Sequence, residues 1–529
     1  MEKIDYDSCD YPGSPPYTVC RNGICIFPVC GDSIVDPMED CDNENLGGAT
    51  CESLGLGGGT LGCNADCKYD MSGCGEQMVC GDGSRQGTEV CDGEDLAGEN
   101  CETQGYYGGA LACLSDCSGF DTSGCSGYCG DGEINGGEVC DDENLVGETC
   151  FSLELGYGDL ACMDDCSDFD TTRCWGWESI SAGYEHTCAM KTDNTVWCWG
   201  SNSYGQLGNG THSNSNTPLQ VIGLEDVLGV STGYDHSCAV KNDGTVWCWG
   251  RNDYGQLGNG TDNLSNTPVQ VAGGLSDATM IACGGVHSCA LNSNGGLRCW
   301  GMNSQGQLGN SSTNASNSPV IVHHMNEGVR RVSCGGAHTC AVNNDGTAWC
   351  WGSNSNGQLG NEEWGGFRTS RVQVKPDNLG SVVEISCGNV HTCASTGEGT
   401  AWCWGGNWAG QLGNATYVVE NTPVQVFGLT GVTAVSGGDD HSCAVKSDGT
   451  AWCWGGNDAG QLGDGTTEYK NTPVLVSGLF NVGKISGGQI FTCGVKTDLT
   501  AWCWGWNDSG QLGDGTNEDR YTAVEVSAQ

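Results

Sequence analysis

Thiols and carboxylates are the reactive groups that this chain sets at fixed spacing. Fourteen of its 38 cysteines stand ten positions apart in seven pairs: Cys188/Cys198, Cys238/Cys248, Cys289/Cys299, Cys340/Cys350, Cys393/Cys403, Cys443/Cys453 and Cys493/Cys503. Such thiols can close disulfides or ligate soft metals, and none of the spacings is that of a zinc finger or ribbon. Upstream lie three sets of six: Cys30, Cys41, Cys51, Cys63, Cys67, Cys74; Cys80, Cys91, Cys101, Cys113, Cys117, Cys125; Cys129, Cys140, Cys150, Cys162, Cys166, Cys174. Their gaps are 11, 10, 12, 4 and 7 or 8. The C-x-x-x-C pairs within them could ligate a metal, but units this short have few positions for a core and are expected to be held by disulfides. Six cysteines allow fifteen pairings, and spacing does not choose among them. Cys9, Cys20 and Cys25 precede the first set, as the tail of a further unit would. Cys283, Cys334 and Cys387 each stand just ahead of a G-x-x-H element and are expected to be small buried hydrophobes.

Each six-cysteine unit repeats four carboxylates: Asp32, Glu39, Asp42, Glu44; Asp82, Glu89, Asp92, Glu94; Asp131, Glu138, Asp141, Glu143. Hard oxygen ligands gathered in a disulfide-pinned loop suit calcium. Calcium is therefore the one metal expected, against the alternative of solvated acidic loops, and no other cofactor is expected. Six histidines, His186, His236, His287, His338, His391 and His441, share one repeat position with Phe491 in the seventh copy. A position that accepts phenylalanine is expected to be structural, with the imidazole bonded to backbone. No G-x-S-x-G, H-E-x-x-H or P-loop occurs, and no catalytic residue is expected.

Those residues have to be positioned by something that repeats. The Trp-Gly ending each cysteine pair falls at Trp199, Trp249, Trp300, Trp351, Trp404, Trp454 and Trp504, spaced 50, 51, 51, 53, 50 and 50. A period near fifty marks a repeat architecture. Between Cys238 and Cys248 the chain reads AVK-NDG-TVW, which folds as a hairpin with Asn242-Asp243-Gly244 as its loop. The third loop residue must be left-handed, and Gly244 supplies that. Asn194 stands there in the first copy and Leu499 in the last, so a strained turn is expected at Leu499. The ladder makes Cys238 and Cys248 a close, non-hydrogen-bonded pair within disulfide reach. Trp247 and Trp249 then point to the opposite face. Sheets apolar on both faces must be packed on both, and seven of them predict an all-β, seven-bladed propeller. Val524–Val526 is expected to close the ring against the first blade near Ile180. The domain reading is 1–29 as an N-terminal segment, 30–79, 80–128 and 129–177 as cysteine-rich modules, and 178–529 as the propeller.

The stretch "GYDHSCAVKNDGTVWCWGRNDYGQLGNGT...NTPVQV" resembles the regulator of chromosome condensation repeat in its G-x-x-H-[ST], D-G-x-V/A-W, W-G-x-N and G-Q-L-G elements. The likeness covers residues 178–529 and departs at the cysteine pairs, which typical nuclear members lack. Nuclear relatives imply nucleotide exchange on a small GTPase or chromatin binding; secreted β-lactamase inhibitory propellers imply binding by loop aromatics. Residues 30–174, with their Cys-Gly-Asp and Glu-x-Cys-Asp elements, resemble the myxobacterial cysteine-rich repeat of secreted and surface proteins.

Residues 1–177 carry 36 acidic and 5 basic side chains, and the whole chain has a net charge of −47. That balance argues against nucleic acid and anionic membranes as direct partners. The cysteine content implies an oxidising compartment. No stretch is apolar enough to span a membrane. The opening "MEKIDYDSCDYPGSPP" is not leader-like, so a trimmed or fragmentary chain is expected rather than a cytosolic one. The reading is a secreted or cell-surface binding protein whose propeller loops recognise a protein or glycan. The alternatives are exchange or chromatin binding, and a glycan-processing enzyme, for which no carboxylate pair is nominated. The binding expectation falls on the loops that do not repeat: Trp364, Phe367, Arg368 and Arg371 in the fourth copy, with Trp408, Tyr417, Tyr204 and Tyr254 elsewhere.

Overall fold

The computed structural model describes residues 19–21, 24–26, 30–31, 34–35, 39–56, 59–75, 80–85, 89–135, 138–375 and 379–527. The chain forms two compact units, one of residues 1–145 with 162–169 and one of 146–161 with 170–529.

The larger unit holds seven four-stranded antiparallel sheets, each made of four consecutive strands in meander order. The first runs Trp177–Ala182, His186–Lys191, Val196–Gly200 and Ser215–Gln220. The last runs Val482–Gly487, Phe491–Lys496, Ala501–Gly505 and Arg520–Glu525. The cysteine hairpin is the second and third strand of every blade, and all seven expected staples form. Cys188–Cys198, Cys340–Cys350 and Cys393–Cys403 close with Cα atoms 4.1 Å apart. Cys238–Cys248, Cys289–Cys299, Cys443–Cys453 and Cys493–Cys503 close at 4.0 Å. These separations are shorter than most disulfides span, because the partners stand directly opposite in the ladder at its closer, non-hydrogen-bonded kind of pair.

The hairpin loop is left-handed at its third residue, with φ of 77° at Gly244, 62° at Asn194 and 64° at Leu499. Leucine there meets the expectation of strain, because its Cβ crowds the backbone in this region. The aspartate of the loop does the rest: Asp243 Oδ1 accepts from the Thr245 amide (2.9 Å) and hydroxyl (2.6 Å), and the Thr245 hydroxyl accepts the Trp247 indole N–H (3.1 Å). This is the physical content of the D-G-T-V-W element.

Between blades, sulfur meets indole. Trp249 of the second blade is fully buried in one cluster with Cys188, Cys198, Val196 and Val227. The seventh blade's Cys493 and Cys503 pack in the same way on Trp199 and Trp177 of the first. A fully buried indole removes roughly 200 Å² from water, worth up to ~5 kcal/mol. Ring closure meets the sequence expectation through packing and not through strand pairing. The final strand pairs inside its own blade, Cys503 opposite Val524, and not with the first. Val524 and Val526 do pack in the cluster that holds Ile180. Closure comes from that packing and from bonds of the first blade to the seventh: Thr187 Oγ1 to the Gln511 carbonyl (2.8 Å), Trp199 Nε1 to the same carbonyl (2.9 Å) and Asn216 Nδ2 to the Gly515 carbonyl (3.0 Å). Because every blade completes its own four strands, no strand is left to exchange.

The amino-terminal modules share one disulfide order, first with fifth, second with fourth and third with sixth: Cys30–Cys67, Cys41–Cys63 and Cys51–Cys74 in the first. The second and third repeat it. Among their described residues regular structure is limited to two-residue strands and single 3-10 turns. Ahead of them Cys20 stands opposite Cys25 in a short antiparallel ladder, and Cys9 lies outside the described residues. Among the described residues no helix is long and apolar enough to cross a membrane.

Candidate functional site

Strands alternate in direction, so the turn after a blade's first strand and the long loop after its third emerge at the same end of the sheet. That end gathers the non-repeating residues. The long loop is tied down by one buried asparagine: Asn252 Oδ1 accepts from the Leu257 amide (2.9 Å), while its Nδ2 donates to the Thr261 and Asn263 carbonyls (2.9 Å each). Equivalent asparagines, all buried, hold the other six loops. The loop is therefore rigid at its root and free to vary at its tip.

Of the residues singled out in these loops, Trp364 is 56% exposed, Trp408 51% and Tyr417 52%. Phe367 and Tyr254 are exposed as well. Tyr469 and Tyr521 extend the exposed aromatic series into the sixth and seventh blades. The arginines are not free. Arg368 is ion-paired with Glu363, and Arg371 lies 4.1 Å over the Trp349 ring. Tyr204 is only half-buried and carries the Arg251 guanidinium 4.8 Å above its ring. The aromatics thus make the surface, and the arginines brace it.

The turns after the first strands surround a narrow channel of about 80 Å³ lined by all seven blades. The first glycine of each G-x-x-H element forms its wall: a Cβ on Gly233 would sit 2.3 Å from His236 Cε1. The histidines lie behind that wall, fully buried. The expected backbone bond from the imidazole is replaced by one to the next blade's hydroxyl. His236 Nε2 meets Ser288 Oγ at 2.9 Å, and Ser288 Oγ donates to the Gln256 carbonyl at 3.0 Å. The hydroxyl proton is spent on the carbonyl, so Nε2 carries the imidazole proton and Nδ1 is left without a partner. The five other histidines repeat the contact. Burial pushes His186, His236, His338 and His441 down to about 3 and His287 and His391 to about 4.

Three thiols complete the wall. Cys283, Cys334 and Cys387 are free and buried, as their sequence context implied. Burial pushes Cys283 and Cys387 up to about 12 and raises Cys334. A ring nitrogen of His236, Cys238 Sγ and Cys283 Sγ lie within 4.8 Å of one another, as do their counterparts in the next two blades. They are poor metal ligands as a set, since Cys238 is in a disulfide and His236 Nε2 is hydrogen-bonded.

The variable residues of the G-x-x-H turns are functional candidates that motif matching does not flag. In blade order the first x is Tyr184, Tyr234, Gly285, Gly336, Asn389, Asp439 and Gln489, and all line the channel. The second x places Glu185, Asp235 and Asp440 beside them. Burial raises all four carboxylates, and Asp440 goes up to about 6 through burial and then neighbouring Asp439. A signal for them does exist in the sequence: these are the positions inside a repeated motif where the blades disagree.

In the modules, Asp42 Oδ2 accepts from the Ile34 amide (2.9 Å), and Asp42 Oδ1 from the Gly31 amide. Asp92 takes the Gly81 and Gly83 amides, and Asp141 those of Gly130 and Gly132. These three buried aspartates therefore hold the Cys-Gly-Asp loop through its backbone. Asp82 and Asp131 accept from the Ser84 and Glu133 amides, and Glu138 from the Asn135 amide. Glu44, Glu94 and Glu143 are exposed, Glu39 and Glu89 are half-buried, and Asp32 lies outside the described residues.

The RCC1-like domain family matches residues 226–529, and RCC1 repeats match 193–240 and 177–206. The chain belongs to the RCC1-like family. The ultraviolet-B receptor UVR8 of Arabidopsis thaliana is 33% identical over 248 residues, 46% of this chain and 44% of the receptor. The mitochondrial RCC1 domain-containing protein RUG3 of the same plant is 37% identical over 100 residues, 18% of this chain and 22% of that protein. The chain thus spans less than half the length of these curated relatives. The crystal structure of human WBSCR16 matches with TM-score 0.54 and 27% identity over 59% of this chain and 84% of that one. Yeast Prp20p, whose structure was described with its binding to Gsp1p and histones, shares the fold at TM-score 0.54 and 22% identity, over 60% of this chain and 82% of its own. In this RCC1-like chain the family's motif residues have structural partners: the Asp-Gly-Thr-Val-Trp residues and the loop asparagine within their own blade, the histidine and the second tryptophan across to a neighbouring one.

Proposed function

We propose that this RCC1-like chain is a secreted or cell-surface binding protein whose propeller contacts a protein partner through its long loops. The observation that carries the reading is the division among the aromatics. The second tryptophan of each repeat strand, from Trp199 to Trp504, is fully buried between blades and the first is half-buried against a neighbouring core, while Trp364, Phe367, Trp408, Tyr417, Tyr469 and Tyr521 are exposed on one loop-bearing side of blades four to seven. Exposed aromatics on rigid supports form binding hot spots at low entropic cost. Sixteen disulfides among the described residues support an oxidising compartment. Exchange on a small GTPase and chromatin binding are disfavoured by those disulfides and by the negative charge.

The test is crosslinking of the full chain on its source cells or in its native fluid, followed by affinity measurement with the captured partner. The Trp364→Ala/Phe367→Ala variant should weaken binding by at least tenfold, and Trp408→Ala/Tyr417→Ala by a similar factor. Unchanged affinity in both variants would sink the loop assignment.

A further inference from the structure

The mouth of the channel is built more elaborately than a propeller needs. Tyr184 and Tyr234 stand side by side with ring centroids 4.9 Å apart. Tyr234 then reaches across the third and fourth blades to donate its hydroxyl to Asn389 Oδ1 of the fifth, at 2.7 Å. It can do so because those blades carry glycine: a Cβ on Gly285 would meet the Tyr234 ring at 2.9 Å, and one on Gly336 would meet Asn389 Oδ1 at 2.1 Å. Asn389 Nδ2 donates in turn to Asp439 Oδ1. Gln489, next in the ring, holds its Oε1 buried with no hydrogen-bond partner. Two tyrosines, a carboxylate and an unsatisfied carbonyl oxygen therefore share one small cavity; Glu185, Asp235 and Asp440, next to them in the chain, bond Ser509, Arg251 and Gln411.

What is missing there is positive charge. Among the described residues Arg251 is paired with Asp235 and Asp253, and no ion pair reaches Glu185, Asp439 or Asp440. Partly buried carboxylates without a cation are costly, and two tyrosines, whose rings carry a negative face, line the same space. We propose that the channel mouth receives an organic cation, the guanidinium or ammonium group of an arginine or lysine side chain carried by the protein partner. The group's N–H donors would satisfy Asp439 and Gln489 Oε1, and its flat or methylene flank would lie against Tyr184 and Tyr234. This inference rests on the binding reading above but uses a different set of residues.

The experiment is calorimetric titration of the full chain with butylguanidinium, with butanol as the neutral control, and with the peptide acetyl-Gly-Arg-Gly-amide. One molar equivalent of butylguanidinium should bind, butanol should not, and the peptide should bind more tightly than butylguanidinium. Asp439→Asn keeps an acceptor for Asn389 and should weaken both cations at least tenfold at an unchanged melting temperature. Tyr184→Leu should weaken them several-fold. Trp364→Ala/Phe367→Ala should leave cation binding untouched, which separates failure of the loop assignment from failure of this one. No cation binding at millimolar concentration, or binding indifferent to both Asp439→Asn and Tyr184→Leu, overturns the proposal. A peptide weaker than free butylguanidinium overturns the assignment to a partner's side chain and points to a free amine.

Discussion

Cys283, Cys334 and Cys387 end the first strands of three consecutive blades, each against the staple of the blade before it: Cys238–Cys248, Cys289–Cys299 and Cys340–Cys350. They stay thiols beside disulfide sulfurs because exchange needs a thiolate, and burial holds Cys283 and Cys387 near 12. Alkylation of the native chain with iodoacetamide at pH 8 should therefore leave these three unlabelled. In guanidinium without reductant all three should label within minutes, identified by peptide mass. Labelling of any of them in the native state at the rate of a free cysteine would mean that the channel wall opens. Their burial was legible in the sequence, since each stands outside the ten-residue pairs, just ahead of a G-x-x-H element, where a cysteine serves as a small hydrophobe. The partner of that histidine was not legible, because Ser288 lies 52 residues from His236 and only the ring geometry brings them together. The same limit hid Tyr234 and Asn389, which are 155 residues apart.

The stapled hairpin is the element that the sequence specifies most completely. Cysteine spacing, the Asp-Gly turn and the strand period all lead to one register, and the structure has that register in seven blades, from Cys188 opposite Cys198 through Cys289 opposite Cys299, Cys393 opposite Cys403 and Cys443 opposite Cys453 to Cys493 opposite Cys503. Module connectivity was open for the opposite reason: with almost no regular structure, nothing local ranks the fifteen pairings. Each staple closes a ten-residue separation, which chain entropy values at ~3 kcal/mol. Cys340→Ala with Cys350→Ala in the fourth blade should lower propeller stability by about that amount, read from the tryptophan fluorescence midpoint in guanidinium. The double substitution adds no unpaired thiol to the three already present, Cys283, Cys334 and Cys387. A loss below ~1 kcal/mol would show that blade stacking already restrains the hairpin. In the modules, where calcium remains a proposal carried by the recurring carboxylates, a melt in millimolar calcium against one in chelator is the direct check. An unshifted module transition removes the metal and leaves Asp42, Asp92 and Asp141 as purely structural acceptors.

Across the whole ring, six buried neutral histidines make the propeller a structure that acid should dismantle. Each has its folded pKa near 3 or 4 against about 6.5 when unfolded. Below about pH 6.5 the unfolded chain takes up protons that the folded chain refuses, so stability falls with pH. The loss is ~1.4 kcal/mol per pH unit for each histidine and continues until the folded pKa is reached. Asp440 works the other way: raised to about 6, it binds its proton in the folded state first and adds stability as pH falls from 6 toward 4. Raised Glu185, Asp235 and Asp439 act in the same sense. Histidines outnumber these carboxylates six to four, so the net slope between pH 6 and 4.5 should be positive by ~3 kcal/mol per unit or more. The seventh interface, where Phe491 replaces histidine, shows that a ring without an ionisable group fits the site. His338→Phe should therefore fold, reduce the slope of the urea midpoint against pH by at least one sixth, and leave stability at pH 7.5 within ~1 kcal/mol of the parent. An unaltered slope in this variant would mean that the histidines titrate normally in the folded ring, and that their burial between blades does not control its acid stability.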